Sequence, residues 1–227
     1  MSVIIINHCE DLFISILAIV VLLSGCKKIA PGIVTTVTGT VMDNNRGVPI
    51  VNAKLTVQEE KYHFYGDEAG EFPVGSPITT SSGPDGKYSI TFTSNGQGDE
   101  YVIGLSVDSN YLNENNRQKI PIGKDTVVNF NAWQLATLKA HIIVKNNPAP
   151  PLTVFSDDFA GVGIWGTNND TVVTLKVIPN QANGLQFLIK IPGNQNESYY
   201  NADFTLSGFS TTYYQTFTVN PSTFTEY

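Results

Sequence analysis

Cysteine is nearly absent from this chain. Cys9 and Cys26 are the only two, which excludes a disulfide framework and a cysteine-built zinc or redox centre. Histidine is as rare, at His8, His63 and His141. The sequence holds no His-x-x-x-His, no cysteine pair and no phosphate-cradling glycine loop, so the common metal and nucleotide signatures are missing. Charged residues make up only 15%, and no helical periodicity follows Cys26, which argues against amphipathic helices as the framework. An excess of basic residues is lacking too. Against 13 Lys and Arg stand 20 Asp and Glu, a net charge of −7; an acidic chain does not neutralise phosphates, so nucleic acid is not a partner. Finally, no apolar run is long enough to span a bilayer. Residues 12–23 are apolar apart from Ser15, but twelve helical residues reach roughly 18 Å, short of the ~30 Å hydrocarbon core.

What that run does fit is the h-region of a signal peptide. It ends in Leu23-Ser24-Gly25-Cys26, followed by Lys27 and Lys28. Small side chains before the cysteine suit a peptidase that binds its substrate extended in narrow pockets. The four residues resemble the lipobox of bacterial lipoproteins. The resemblance implies that the Cys26 thiol is acylated, that the bond before it is cut, and that Cys26 becomes the first residue. Residues 1–25 are then the signal peptide and 26–34 a tether. The n-region departs from the pattern, with no Lys or Arg before residue 12 and with Glu10 and Asp11 present. Losing residues 1–25 removes Cys9, Glu10 and Asp11 and no Lys or Arg, leaving 13 basic against 18 acidic residues, a charge of −5. Such a chain has no free thiol, so its stability must come from core burial. Lys27 and Lys28 suit contacts to anionic head groups.

Strand patterning fills the rest. Val37 and Val41, Leu55 and Val57, Tyr88, Ile90 and Phe92, and Tyr101, Ile103, Leu105 and Val107 each recur at period two. After Val128 and Phe130 the theme resumes with Leu138, Ala140, Ile142 and Val144, then Val173, Leu175 and Val177, Phe187, Ile189 and Ile191, Phe204 and Leu206, and Phe217 and Val219. Each set gives one apolar and one polar face, as in packed antiparallel sheets. Asn44-Asn45-Arg46-Gly47 and Ser82-Gly83-Pro84-Asp85-Gly86 supply turns, and residues 146–151, with three prolines, form a loop. The expected fold is all-β: two small antiparallel β-sandwiches, 35–131 and 132–227. Asp125-Thr126-Val127-Val128 and Asp170-Thr171-Val172-Val173 echo each other too briefly to mark a duplication.

Three blocks in the first half occur in a familiar order: Thr38-Gly39-Thr40-Val41, then Gly47-Val48-Pro49-Ile50-Val51-Asn52-Ala53, then Asp85-Gly86-Lys87-Tyr88. Together they resemble the carboxypeptidase regulatory-like domain, a transthyretin-like sandwich of seven strands. The resemblance covers about residues 35–131. It implies a structural or binding role with no catalytic residues or cofactor, in the setting of Bacteroidota lipoproteins of the cell envelope and outer membrane. Residues 58–78 are longer than the family's usual connection.

Catalysis has few candidates. His141 falls on a polar strand face and His63 in an aromatic loop, neither beside an evident nucleophile. Asp157-Asp158, Asp67-Glu68 with Glu71, and Asp99-Glu100 are the carboxylates a glycosidase would need, yet neighbours on a strand point to opposite faces. Asp85-Gly86 lacks the spaced carboxylates of a calcium loop. The expectation is therefore no enzyme, no metal and no cofactor. The candidate binding loop is 58–78, with Tyr62, His63, Phe64, Tyr65 and Phe72 among acidic residues; Tyr199-Tyr200, Tyr213-Tyr214 and Trp165 add aromatic surface. Two roles follow. One is a non-enzymatic envelope lipoprotein that spaces or binds another envelope protein; the alternative is carbohydrate binding for glycan capture, with aromatic faces against sugar rings.

Overall fold

The computed structural model describes residues 28–65, 68–113, 116–156, 160–193 and 197–226. Cys26, the proposed lipidation site, lies outside the described residues, as do Asp67, Asp157 and Asp158. Among the described residues the chain is built from β1 (Val34–Asp43), β2 (Val48–Pro49), β3 (Lys54–Tyr65), β4 (Glu68–Ser81), β5 (Lys87–Thr93), β6 (Glu100–Ser106), β7 (Tyr111–Leu112), β8 (Arg117–Ile120) and β9 (Thr126–Val127). There follow β10 (Phe130–Gln134), β11 (Ala136–Val144), β12 (Leu152–Ser156), β13 (Val162–Ile164), β14 (Asn169–Val177), β15 (Ala182–Lys190), β16 (Glu197–Thr205), β17 (Thr212–Val219) and β18 (Thr225–Glu226). Among these residues no helix is long and apolar enough to cross a membrane. The fold is all-β, in two β-sandwich units.

The units interleave along the sequence. The first takes Met1–Thr40, Val51–Ser106 and Asn116–Asn129; the second takes Val41–Ile50, Val107–Asn115 and Phe130–Tyr227. Residues 41–50 and 107–115, which lie within 35–131, thus fall in the second unit, and β1 serves both.

In the first unit, residues 34–40 of β1 pair antiparallel with β5, from Val34↔Thr93 to Thr40↔Lys87, and parallel with β9. The second sheet runs β4-β3-β6-β8, antiparallel throughout. Alternation does what the sequence predicts. Val37 from β1, Tyr88, Ile90 and Phe92 from β5, Leu55 and Val57 from β3, and Tyr101, Ile103 and Leu105 from β6 are all buried. The Phe92 and Tyr101 rings lie 5.0 Å apart between the sheets. Burying such side chains is worth about 1.5–3 kcal/mol each, which is how these sheets hold together with no cysteine among the described residues. The Ser82–Gly86 turn forms as its residues require: Gly86 has φ +75° and its N–H donates to the Gly83 carbonyl at 2.9 Å.

The second unit has β11 at the centre of the sheet β14-β11-β17, with β13-β12-β15-β16-β18 as the facing sheet. Leu138, Ile142, Leu152, Leu185, Phe187 and Ile189 are among its most deeply buried side chains. Residues 41–43 of β1 form a further small sheet with β2, β10 and β7. Pro49 sits there on the two-residue strand β2, opposite Met42, where its missing N–H costs little.

Candidate functional site

The expected 58–78 loop is not a loop. It is the body of the β3–β4 hairpin, paired from Lys54↔Ser81 to Tyr65↔Glu68. The sequence hid this because the ladder shifts register between Val57 and Glu59. Three residues, Gly75, Ser76 and Pro77, there oppose Gln58 alone. Gly75 takes φ +70°, and the Gln58 side-chain amide donates to the Glu59 and Val74 carbonyls at 2.9 and 2.8 Å. Such a bulge resets the alternation and re-aims the strand.

Past the bulge the hairpin leaves the sheet. β6 follows β3 only as far as Glu60↔Glu100, so residues 61–65 pair with β4 alone among the described residues. At that exit the Asp99 N–H donates to the Glu60 carbonyl at 2.7 Å, and the Tyr62 N–H donates to the Asp99 carboxylate at 3.1 Å. The pairing Tyr62↔Glu71 and Phe64↔Ala69 puts Tyr62 and Phe64 on one face, while Lys61↔Phe72 and His63↔Gly70 puts His63 and Phe72 on the other. Tyr62 and Phe64 meet edge to face at 5.0 Å; His63 and Phe72 lie 6.2 Å apart. Phe64 is 75% exposed, Tyr62 49% and Phe72 42%. Tyr65 ends β3, and its side chain lies outside the described residues. Four of the five predicted aromatic site residues therefore stand together on a projecting ribbon.

At the root of the ribbon lies a cluster the sequence did not reveal. Glu60 on β3, Glu71 on β4 and Glu100 on β6 bring carboxylate oxygens within 4.8 Å of one another. Glu60 and Glu100 are direct cross-strand partners, an arrangement that repels unless charge is supplied. β8 supplies it. The Arg117 guanidinium pairs with Glu60 and lies 3.8 Å from Glu71. Lys119 Nζ reaches Glu71 at 3.2 Å and Glu100 at 2.5 Å. Its hydrogen bonds to Glu100 and Glu71 hold the Lys119 ammonium above its usual pKa. Three carboxylates that could have gathered a cation are thus matched by two fixed cations of the protein. Of the residues singled out earlier for acid–base work, Glu71 and Glu100 are here; Asp99 is bonded to backbone at the ribbon's exit.

The neighbouring Glu59 is almost fully buried, and its carboxylate accepts from the Gly98 N–H at 2.6 Å. Asp85 in its turn accepts from the Lys87 side chain and backbone N–H, which lowers its pKa. Each is a local structural partner of its loop.

The second unit presents an aromatic surface on the outer face of β14-β11-β17. A shallow concavity of about 400 Å³ is lined by Lys139, His141, Val172, Tyr214, Gln215 and Thr216. Tyr214 is 78% exposed beside Lys139, and His141 Nε2 lies 2.6 Å from the Asp170 carboxylate. Tyr200 contacts the Phe187 and Phe224 rings and is half exposed; Trp165 is 69% exposed.

No protein-family model matches the chain, and no curated protein matches it. The regulatory-like resemblance thus rests on its three sequence blocks. Among solved structures the chain is similar to the TIE protein of Bacillus anthracis, at 12% identity and a TM-score of 0.34, over 83% of this chain and 34% of that one. It is also similar to the minor pilin GBS52 of Streptococcus agalactiae, at 12% identity and a TM-score of 0.37, over 82% and 95%. A third is the major pilin SpaD of Corynebacterium diphtheriae, at 11% identity and a TM-score of 0.36, over 77% and 65%. The chain spans about a third of the length of the TIE protein.

Proposed function

We propose that this chain is a non-enzymatic cell-envelope lipoprotein, acylated at Cys26 and placed at the outer membrane, whose β-sandwich units form a structural or protein-binding module. The observation that carries the non-enzymatic part is the Glu60–Glu71–Glu100 cluster. Acid–base work needs a carboxyl group free to gain and lose a proton near a substrate. Here Arg117 and Lys119 tie up the three carboxylates across four strands, which suits a load-holding joint at the base of the ribbon. The lipoprotein part is supported by the Leu23-Ser24-Gly25-Cys26 block after an apolar run of h-region length. Mass spectrometry of the native protein should find Cys26 acylated and residues 1–25 absent. Photo-cross-linking in the envelope should return one dominant envelope protein. An intact leader on an unmodified Cys26 would end the lipoprotein account.

The Tyr214 surface favours glycan capture as the second reading. An exposed tyrosine face flanked by Lys139 and Gln215 offers stacking together with hydrogen bonds to hydroxyls. A glycan array with the detergent-solubilised full chain decides it. Binding that is lost in Tyr214→Ala supports capture; a blank array removes it.

A further inference from the structure

The tether and the aromatic ribbon leave the first unit at the same place. The stretch just before β1, residues 30–32, is held on the β5–β6 loop. The Ser94 hydroxyl donates to the Ala30 carbonyl at 2.6 Å, and the Gly32 N–H donates to the Ser94 carbonyl at 2.7 Å. Pro31 packs so closely on Gly96 that a Cβ there would lie 2.9 Å from its ring. The same loop holds the ribbon's root. The Gly98 N–H donates to the Glu59 carboxylate, the Asp99 N–H to the Glu60 carbonyl, and Asp99 accepts from the Tyr62 N–H. A short loop, residues 94–99, thus joins the tether's exit to the ribbon's exit.

Lengths decide what this means. From Ala30 back to Cys26 is four residues, at most roughly 14 Å even fully extended. The ribbon runs five residues past Glu60 on β3, roughly 17 Å at strand rise. With acyl chains on Cys26, the tether cannot lift this end of the unit further from the bilayer than the ribbon reaches.

We infer that the β3–β4 ribbon is a second membrane contact, in which Tyr62 and Phe64, on one face of the ribbon, rest in the phospholipid interface and fix the pose of the first unit on the bilayer. The inference rests on the acyl anchor proposed above. Its chemistry is that of interfacial aromatics: large apolar rings, one with a hydroxyl, that settle at head-group depth. Their exposure, 75% for Phe64 and 49% for Tyr62, suits a surface covered by something apolar. Lys28 and Lys61 add positive charge at the same end. One lipid anchor and one weak surface contact together give a defined orientation.

The test uses the full acylated chain, which carries no other thiol after loss of Cys9. Phe64→Cys and Val51→Cys are each labelled with a polarity-sensitive fluorophore and reconstituted into phosphatidylcholine–phosphatidylglycerol vesicles. Val51 is 47% exposed and lies just before β3, at the end of that strand away from Glu60. The expected result is blue-shifted emission at position 64, strongly quenched by lipids bearing a nitroxide near the head group, with a water-like, unquenched signal at position 51. Chain that is acylated and floats with the vesicles but gives a water-like signal at 64 overturns the ribbon contact alone. A shift at 64 that appears without lipid and grows with protein concentration overturns it in favour of self-association. Chain that is neither acylated at Cys26 nor vesicle-bound overturns the lipoprotein reading, and the ribbon contact with it.

Discussion

Gly39 shows how one residue fixes a strand's neighbours. A Cβ built on it would stand 1.7 Å from the Val128 carbonyl oxygen and 2.9 Å from the Tyr88 ring. Neither can retreat easily. The Tyr88 hydroxyl donates to that same carbonyl at 2.7 Å, and the Val128 N–H donates to Thr38 at 2.8 Å. Gly39→Ala should therefore cost about 2–3 kcal/mol of stability, measured by urea unfolding, while an alanine at Gly47 would meet no neighbour and face only the strain of a positive φ. The glycine of the Thr38-Gly39-Thr40-Val41 block is explained by this close approach. Tyr88 carries a second prediction. Burial pushes its hydroxyl well above the ordinary value of 10.0, and burial also raises Tyr101, with the nearby Glu59 adding to it. A group raised in the folded state stabilises fully below its unfolded pKa and less as pH rises past it. Stability should thus hold through neutral pH and fall from about pH 10 upward. Tyr88→Phe should lose about 1 kcal/mol at neutral pH with its hydrogen bond, and its urea midpoint should decline less steeply between about pH 9 and 11.

At the scale of elements, the root of the β3–β4 ribbon is held by charge across four strands. The Glu60 side chain is only 7% exposed, while that of Arg117 is 45% exposed. Arg117→Met leaves a nearly buried carboxylate without its guanidinium. A fully buried pair broken this way costs about 3–5 kcal/mol; solvent at Arg117 reduces the figure to about 1–3 kcal/mol. Adding Glu60→Gln to that variant removes the stranded charge and should recover part of the loss, so a double-mutant cycle by urea unfolding should show clear coupling. This cluster was illegible in the sequence because its members lie on β3, β4, β6 and β8 at no fixed spacing; only cross-strand register assembles them. The strands around it were legible wherever alternation was unbroken. β5 alternates buried and exposed at every position from Lys87 to Thr93, and β11 alternates buried and half-buried from Ala136 to Val144. The ribbon failed as a strand prediction because the Gly75-Ser76-Pro77 bulge, with Pro73 nearby, imitates loop chemistry. Of its aromatic residues, Tyr62 and Phe64 are two apart, and one strand period brings them to one face. The interleaving of the two units was hidden for another reason: β1 changes partners midway, from β5 and β9 to β10 and β2, and no change in its composition marks the point.

For the whole molecule, the proposed lipoprotein role turns on what would hold it to a membrane. Among the described residues no helix can span one. Net charge would not help: with residues 1–25 removed, as proposed, the balance would be −5, which an anionic surface repels. The ribbon offers a few interfacial side chains, and a single shallow contact is weak and reversible by itself. In the proposed lipoprotein, stable attachment would depend on acyl chains at Cys26, each contributing about 0.8 kcal/mol per buried methylene. Cys26→Ser should move the protein from the membrane pellet to the soluble fraction at physiological salt. Phe64→Ser with Cys26 intact should stay in the pellet, because it weakens only the shallow ribbon contact and leaves the anchor. Both variants should unfold at the parent's urea midpoint, since Cys26 lies before the first strand and Phe64 is exposed. The comparison separates anchoring from posing: a Cys26→Ser chain that still pellets with membranes, folded and at full yield, would mean that its β surface, and not a lipid, carries the attachment.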